Sequence, residues 1–225
     1  MTSNTSDKPP VSGLILVLGA TGKTGRRIAA SLAANGCQVR LGSRSATPSF
    51  DWNNEVGWDD CLAGVEAAYI NYAPDLAMPG ATDAIQAFVE RAKHHGVNRL
   101  VLLSGRGEEE AQACERIVQG SGIDWTVVRA SWFNQNFSEG AFVEMVQGGQ
   151  ITLPAVDTPE PFVDVDDIAD VAVAALIEPG HAGEVYEVTE QEHADALAAC
   201  RRMQQDVGER LFRADDESLV LVNTL

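Results

Sequence analysis

The sequence predicts an α/β fold: a doubly wound parallel sheet with helices on both faces, followed by a small C-terminal lobe. Three observations carry this expectation. The apolar run Leu14-Ile15-Leu16-Val17-Leu18 ends in a glycine-rich turn and opens into an alanine-rich segment. That segment places Ile28, Ala29, Leu32 and Ala33 at helical spacing, the mark of a helix with one buried face. Further runs at 38–42, 65–72, 98–105 and 124–129 are bounded by turn residues, as strands buried on both faces are.

The first strand and helix are joined by Gly19-Ala20-Thr21-Gly22-Lys23-Thr24-Gly25. Strand, tight glycine turn and helix form the first half of a βαβ unit, whose helix N-terminus attracts anions. Gly19 permits the sharp turn, Gly22 lets a pyrophosphate approach bare main chain, and Gly25 lets the helix pack close to the strand. Thr21, Lys23 and Thr24 complete the expected phosphate-binding set. Gly22-Lys23-Thr24 also invites a nucleoside-triphosphate P-loop, but that motif needs a glycine five residues before the Gly-Lys pair, and position 17 is valine. A glycine turn without a ligand is the alternative.

The second strand, Gln38–Gly42, exits into Ser43-Arg44-Ser45. A cofactor lacking a 2′-phosphate meets an Asp or Glu near this strand end. No acid occurs between Gly25 and Asp51, and Arg44 stands where a 2′-phosphate would arrive. Its guanidinium is a fork of donors matched to phosphate oxygens, and Ser43 and Ser45 add hydroxyls. NADP(H) is therefore favoured over NAD(H), with a solvated surface arginine as the plain alternative.

Taken together, these residues resemble the atypical short-chain dehydrogenase/reductases, with their Rossmann sheet, and most of all the NmrA-like branch. That branch includes NADPH-dependent quinone and isoflavone-type reductases and redox-sensing NADP binders. The resemblance runs over residues 12 to 189, and several downstream segments extend it.

Composition excludes other classes. Of 225 residues, 45% are hydrophobic and 22% charged, ordinary for one globular domain with a sizeable core. The net charge of −17 disfavours a nucleic-acid partner, which needs a cationic face. Residues 1–10 are polar, end in Pro9-Pro10 and read as a flexible tail without a secretory signal. No apolar run approaches 18 residues, so no membrane span is expected. Cys37, Cys61, Cys114 and Cys200 share no metal-site or redox-pair spacing. They read as reduced, buried thiols of a cytoplasmic protein, and no metal site is expected.

The remaining elements follow in order. Phe50-Asp51-Trp52 leads to a short strand or irregular piece, and Trp58–Gly64 to a brief helix stopped by Gly64. Val65–Tyr72 is a strand whose exit places Asn71, Tyr72 and Ala73 beside the cofactor, because ligands meet the carboxyl ends of parallel strands. Tyr72 is read equally well as a packing aromatic. The segment 80–95 carries Ile85, Phe88, Val89 and Ala92 at helical spacing before Gly96. His94 and His95 in its last turn suit a helix C-terminus and are expected at the surface. Asn98–Gly105 is a further strand, and Ser104 at its end occupies the place where, by the resemblance, short-chain reductases put a substrate-orienting hydroxyl.

The resemblance also draws attention to an absence. The main short-chain dehydrogenases carry Tyr-x-x-x-Lys on the next helix, where the tyrosine exchanges a proton with the substrate oxygen and the lysine lowers its pKa. Here that helix is Glu108–Gln119. No lysine follows Lys93, and no tyrosine lies between Tyr72 and Tyr186. Alignment on Ser121–Thr126 puts Gly107 and Ala111 at the two positions. Simple alcohol oxidation is therefore not expected. Hydride donation to a quinone, enone or iminium remains open, with protonation from water and the protein supplying binding and orientation.

Asp124–Arg129 is expected as the sixth strand. The following Ala130-Ser131-Trp132-Phe133-Asn134-Gln135-Asn136-Phe137 resembles the family's Arg-x-x-x-Phe-x-x-Asn signature, whose loop covers the nicotinamide. On that resemblance Trp132, Phe133 and Phe137 supply apolar cover, Ala130 with Trp132 and Phe133 contacts the cofactor, and Asn134 or Gln135 bonds the carboxamide or a substrate carbonyl. Aromatic packing under a loop is the alternative. With Ser104 and Tyr72, Asn134 makes up the candidate catalytic set.

Ile151–Pro154 reads as a short strand. Phe162–Ile177 resembles the family's Phe-Val-Asp-Val-x-Asp-Ile-Ala segment, a helix capped by Asp166 or Asp167. Gly183–Thr189 is the last strand of the sheet. The dinucleotide-binding domain thus spans 11–189, and 190–225 completes it with a short helix and tail. Leu197, Cys200, Met203, Val207 and Leu211 form the stripe of that helix, while Ser218–Val222 pairs as a strand or seals a subunit contact. So short a lobe leaves the substrate site open and shallow, or completed by a second copy in a homodimer. The expected activity is NADPH-dependent reduction of a small electron-poor compound. A non-catalytic NADP(H)-binding redox sensor and a natural-product isomerase or cyclase are the alternatives.

Overall fold

The structure, a computed structural model, describes residues 13–140, 142–153, 162–188 and 220–223. The tail at 1–10 and the helical stripe from Leu197 to Leu211 lie outside the described residues. Two compact units are present: one holds the described residues up to Ala130 together with Asp166–Val188, the other those of Ser131–Val165 and 220–223.

The first unit is built on six parallel strands. They are β1 (Leu14–Leu18), β2 (Gln38–Gly42), β3 (Val65–Ile70), β4 (Arg99–Gly105), β5 (Asp124–Ala130) and β9 (Glu184–Val188), in spatial order β2-β1-β3-β4-β5-β9. The intervening helices are α1 (Lys23–Ala34), α2 (Trp58–Leu62), α3 (Ala81–His94), α4 (Glu109–Gln119) and α7 (Val165–Ile177). This is the expected doubly wound α/β sheet. The strand order reverses between β1 and β3, and in such sheets the ligand crevice lies outside the carboxyl ends at that reversal.

Alternate residues of each central strand point to opposite faces. Leu16, Leu18, Ile70, Leu100 and Leu102 join one buried cluster with Trp58, Ile85, Phe88, Cys114 and Val118 of α2, α3 and α4. Ile15, Val17, Tyr69, Val101 and Val128 are just as buried on the other face, the side of α1 and α7, which the Arg27–Asp166 ion pair joins. Both faces are covered, which is why these strands read as continuous apolar runs.

The second unit contains β6 (Trp132–Phe133), paired in parallel with β8 (Phe162–Val163), and β7 (Gln150–Leu153), paired in parallel with β10 (Val220–Asn223). Two short helices, α5 (Asn136–Glu139) and α6 (Val143–Gln147), lie between β6 and β7. The C-terminal segment around Val220 thus forms a strand, one of the two outcomes its sequence allowed.

Two expectations change. The segment after Phe50 forms only an isolated antiparallel bridge between Asp51 and Asn54, so Asp124–Ala130 is the fifth strand, not the sixth. Asn54 and Val56 are held in local turns instead, Val56 N–H donating to the Asn54 side chain at 3.1 Å. Nor do Asp166 and Asp167 cap α7: the helix begins at Val165, and both acids fall in its first turn. There they still favour the dipole's positive end, while the Val165 N–H is taken by Gln135 Oε1 at 3.0 Å.

Among the described residues, no helix is long and apolar enough to cross a membrane. The described cysteines are unpaired, with Cys61 and Cys114 buried and Cys37 half-buried. Burial, followed by the nearby Glu115 carboxylate, pushes the Cys114 thiol up to about 11, so it packs as a small apolar group.

The end of α7 is satisfied from an unexpected direction. Arg99, 6% exposed at the start of β4, donates from Nη1 to the carbonyls of Ala175, Leu176 and Glu178 at 3.2, 2.9 and 2.9 Å. The first two are last-turn carbonyls that the helix itself cannot pair, and Glu178 lies just past its end. Arg99→Met should therefore destabilise the first unit by about 2 kcal/mol. Calorimetry should show a fall in Tm of about 4–8 °C.

Candidate functional site

The turn between β1 and α1 is shaped by what its glycines leave out. Gly19 takes a left-handed conformation, φ 65°, open to glycine at no steric cost. A Cβ on Gly25 would stand only 2.7 Å from the Gly19 carbonyl carbon and 3.0 Å from the Ala20 Cα, so the helix start and the turn are in direct main-chain contact. Gly22 N–H donates to the Gly19 carbonyl at 2.8 Å.

Gly22 is also the N-cap of α1, which has no side-chain cap and no acid in its first turn. The first N–H groups of a helix have no partner within it, and their dipole attracts negative charge. An uncapped, acid-free helix start behind a glycine turn suits a pyrophosphate.

Neighbouring strands hold the turn in place. Ala20 N–H donates to the Gly42 carbonyl at the end of β2 at 3.3 Å. Asn71, just past β3, lays its side chain against Gly19, with Nδ2 2.8 Å from where a Cβ would stand. The same Nδ2 donates to Thr24 Oγ1 at 3.3 Å. Thr24 is 1% exposed, so its hydroxyl braces the turn from within. Thr21 is exposed at the tip, and Lys23 is half-buried at the first helical position.

At the β2 exit, Ser43 organises the main chain by accepting from Ala46 and Phe50 N–H groups at 3.2 and 2.9 Å, and its hydroxyl lies 3.3 Å from that of Ser45. Arg44 between them is exposed. The β3 exit is backed by an aromatic shelf that the sequence reading did not single out. Trp52 Nε1 donates to the Asn71 carbonyl at 3.0 Å, and the Trp52 ring stands 5.0 Å from that of Tyr72. Phe50, Trp58 and Phe88 complete it. The signal was present in the close spacing of the aromatic residues Phe50, Trp52 and Trp58. Tyr72 is half-buried with one side on this shelf, and Ala73 beyond it is exposed.

At the β4 exit, Ser104 is 4% exposed and donates its hydroxyl hydrogen to Glu115 Oε1 at 2.6 Å. Its proton is thereby committed, and only its oxygen lone pairs remain. Glu115, buried on α4, also receives Arg129. Burial pushes the Glu115 carboxyl up, but hydrogen bonds from Arg129 and Ser104 together with the arginine charge hold it below the ordinary 4.5. A lowered carboxyl contributes stability that is present above 4.5 and lost as pH falls through its folded value. Nearby, the Glu108 carboxyl lies over Gly105 and is pushed up by burial and by the charges of Asp75 and Glu110.

One sheet therefore gathers the exits carrying Gly19–Gly25, Ser43, Arg44, Asn71, Tyr72, Ala73, Ser104 and Ala130. Trp132, Phe133 and Asn134 belong to the second unit. There Trp132 stacks on Phe142 at 5.8 Å and meets Phe162 edge-on. Phe133 is half-buried on β6. Asn134 donates its main-chain N–H to the Val163 carbonyl at 2.9 Å, and its buried Oδ1 has no partner among the described residues. Gln135 is occupied, bonding the Val165 N–H and donating to Asp164 at 2.9 Å.

Fold and cradle define a dinucleotide-binding α/β protein. Residues 19–179 match the NAD(P)H-binding family, and the chain belongs to that family. NAD(P)H is thus the cofactor class, as the turn implied, and the absent Cβ atoms at Gly22 and Gly25 with the acid-free start of α1 fit it.

Agroclavine dehydrogenase of Claviceps fusiformis is 33% identical over 188 residues, covering 73% of this chain and 63% of that protein. A Streptomyces griseus (4-alkanoyl-5-oxo-2,5-dihydrofuran-3-yl)methyl phosphate reductase is 31% identical over 219 residues, covering 88% and 75%. The fold is shared with the Citrobacter sp. triphenylmethane reductase complexed with NADP(H). The TM-score is 0.65 at 20% identity, over 94% of this chain and 79% of that one. The chain spans about 63% of the length of the first curated relatives it matches.

A Cβ on Gly22 would stand 3.1 Å from the Gly19 carbonyl oxygen, and by the expected pyrophosphate-binding role of this turn a branched side chain there blocks the approach of the phosphates. Gly22→Val should therefore leave the protein folded by circular dichroism yet remove NADPH binding in titration calorimetry. Retained affinity would place the phosphates elsewhere.

Proposed function

We propose that this protein is an NADPH-dependent oxidoreductase that delivers hydride to a small electron-poor acceptor, a quinone, enone or iminium. The observation that carries the reading is the sheet-facing side of α4. By alignment on Ser121–Thr126, Gly107 and Ala111 stand where a tyrosine-lysine pair would exchange a proton with a substrate oxygen, and α4 buries Ala111, Cys114, Glu115 and Val118. The Ser104 hydroxyl at the β4 exit has its hydrogen on Glu115. A site without a placed proton donor suits acceptors that take hydride first and a proton from water afterwards. Relatives named as dehydrogenases and reductases support the class of activity.

In this reading the α1 N-terminus and the Gly19–Gly25 turn hold the pyrophosphate, and Arg44 with Ser43 selects the 2′-phosphate. Asn71 keeps the turn in shape, and Tyr72 and Ala73 line the path towards the β4 exit. Trp132, Phe133 and Asn134 are proposed as cover and polar contact for the reacting end. Bound NADPH supplies the hydride, and the chain supplies position and shelter from water. Ser104 serves as an acceptor or a brace, not as an acid.

The missing proton donor also favours a second reading, a sensor that binds NADP(H) without turnover. NADPH oxidation against a panel of quinones, enones and iminium salts separates the two. Turnover supports the enzyme. Unequal affinity for NADP+ and NADPH without turnover supports the sensor, since equal affinity shifts no equilibrium.

Cofactor choice has its own check. Arg44→Ala should weaken NADPH by about 10- to 100-fold, the worth of a charge-assisted pair, and leave NADH affinity nearly unchanged. Equal losses for both nucleotides in titration calorimetry would remove the 2′-phosphate assignment.

A further inference from the structure

At the β4 and β5 exits a buried carboxylate, Glu115, is held by the half-buried Arg129, and the proposal above uses only its bond to Ser104. Glu115 is 1% exposed on the sheet-facing side of α4. Its Oε1 accepts from the Ser104 hydroxyl at 2.6 Å and from Arg129 Nε at 2.9 Å, and its Oε2 accepts from Arg129 Nη2 at 2.7 Å. Ser104 and Arg129 are register partners on adjacent strands, so one carboxylate grips both strands at the same level. The remaining arm of Arg129, Nη1, donates to Glu187 of β9 at 3.1 Å. One residue further out, the Arg106 N–H donates to the Ala130 carbonyl at 2.9 Å. Three neighbouring strands and one helix are thus tied together just below their exits.

Stability alone is a weak reason for this arrangement. Well-packed apolar residues of similar volume commonly replace a buried ion pair at no loss. A two-pronged guanidinium-carboxylate contact supplies what apolar packing does not, a fixed plane and direction. Its place in the sheet matters as well. The order reverses between β1 and β3. With Arg44 on the β2 side, a dinucleotide laid across the reversal puts its reacting end over β3, β4 and β5.

We infer that Glu115 is a positioning residue for the reacting end of the site. Through Ser104 and Arg129 it sets the relative placement of the β4 and β5 exits, on which nicotinamide and acceptor must be aligned. This rests on the hydride-transfer reading. It adds that alignment is carried by a buried ionic clasp and not by side chains touching the acceptor.

The test is the double variant Glu115→Leu/Arg129→Met, with Glu115→Gln beside it. Glu115→Gln keeps an acceptor for Ser104 while removing the charge opposite Arg129. The double variant should melt near the parent and bind NADPH with little change in Kd. It should lose about 10- to 100-fold in kcat/KM for an acceptor the parent reduces, the usual cost of misplacing reacting groups by about 1 Å. Its kcat should fall more than its KM rises, and Glu115→Gln should fall between it and the parent.

A merely structural clasp predicts parent-like kcat/KM in the double variant, and that result overturns the inference. If the double variant does not fold, Glu115→Gln decides alone: lowered kcat at unchanged NADPH affinity supports the inference, and unchanged kcat overturns it. A parent that binds NADPH but reduces no acceptor removes the functional reading instead. Hydrogen exchange with NADP+ bound then decides the clasp. Lost protection at 103–106 and 128–130, with 20–25 unchanged, supports it, and unchanged protection throughout overturns it.

Discussion

Everything at the nucleotide end of this protein depends on how closely the start of α1 approaches the turn after β1. The helix begins against the Gly19 carbonyl and the Ala20 main chain, with no side chain between them at Gly25. That contact aims the unpaired N–H groups of the first turn out of the sheet, where an anion can reach them. Asn71 and Thr24 brace the turn from β3 and from within the helix, and Gly42 holds it from β2. Loss of closeness at this one point would separate three elements that are otherwise far apart in sequence.

The other end of the site is organised by charge where it might have been organised by packing. A chain with net charge −17 has few cations to spend, yet Arg99 and Arg129 are drawn into its interior. Arg99 closes the carbonyl end of α7, and Arg129 joins Glu115 to Glu187. Each satisfies acceptors that would be costly to bury alone. Arg44 is exposed at the β2 exit, as its proposed contact with a 2′-phosphate requires.

Much of the architecture was legible because its signals are local. β1, β3, β4 and β5 read as apolar runs, since burial on both faces removes any alternation. α1, α3 and α4 read from one apolar stripe each. The glycine turn announced itself because the three glycines are needed within seven residues. Where signals were weaker the alternatives were settled by packing: Phe50-Asp51-Trp52 allowed a short strand or an irregular piece, and it is irregular, its aromatic rings packed against α2 and α3 by side chains and not by a ladder. Asp166 and Asp167 resembled caps, yet Gln135, about thirty residues away in the chain, takes the first N–H of α7.

By itself the sequence determined the fold class, the glycine turn before α1, the arginine at the β2 exit and a helix after β4 that holds neither tyrosine nor lysine. Each follows from residue type at short spacing, which the chain carries into any context. Only the tertiary structure decided what the polar residues of the sheet do. Ser104, Glu115 and Arg129 are separated by eleven and fourteen positions from one to the next, and nothing local marks them as partners. Register between β4 and β5 brings the serine and the arginine level, α4 sets the carboxylate between them, and the candidate substrate-orienting hydroxyl has its proton already engaged. Hydrogen bonding across strands depends on which residues the sheet sets side by side, and that is settled by pairing, not by composition.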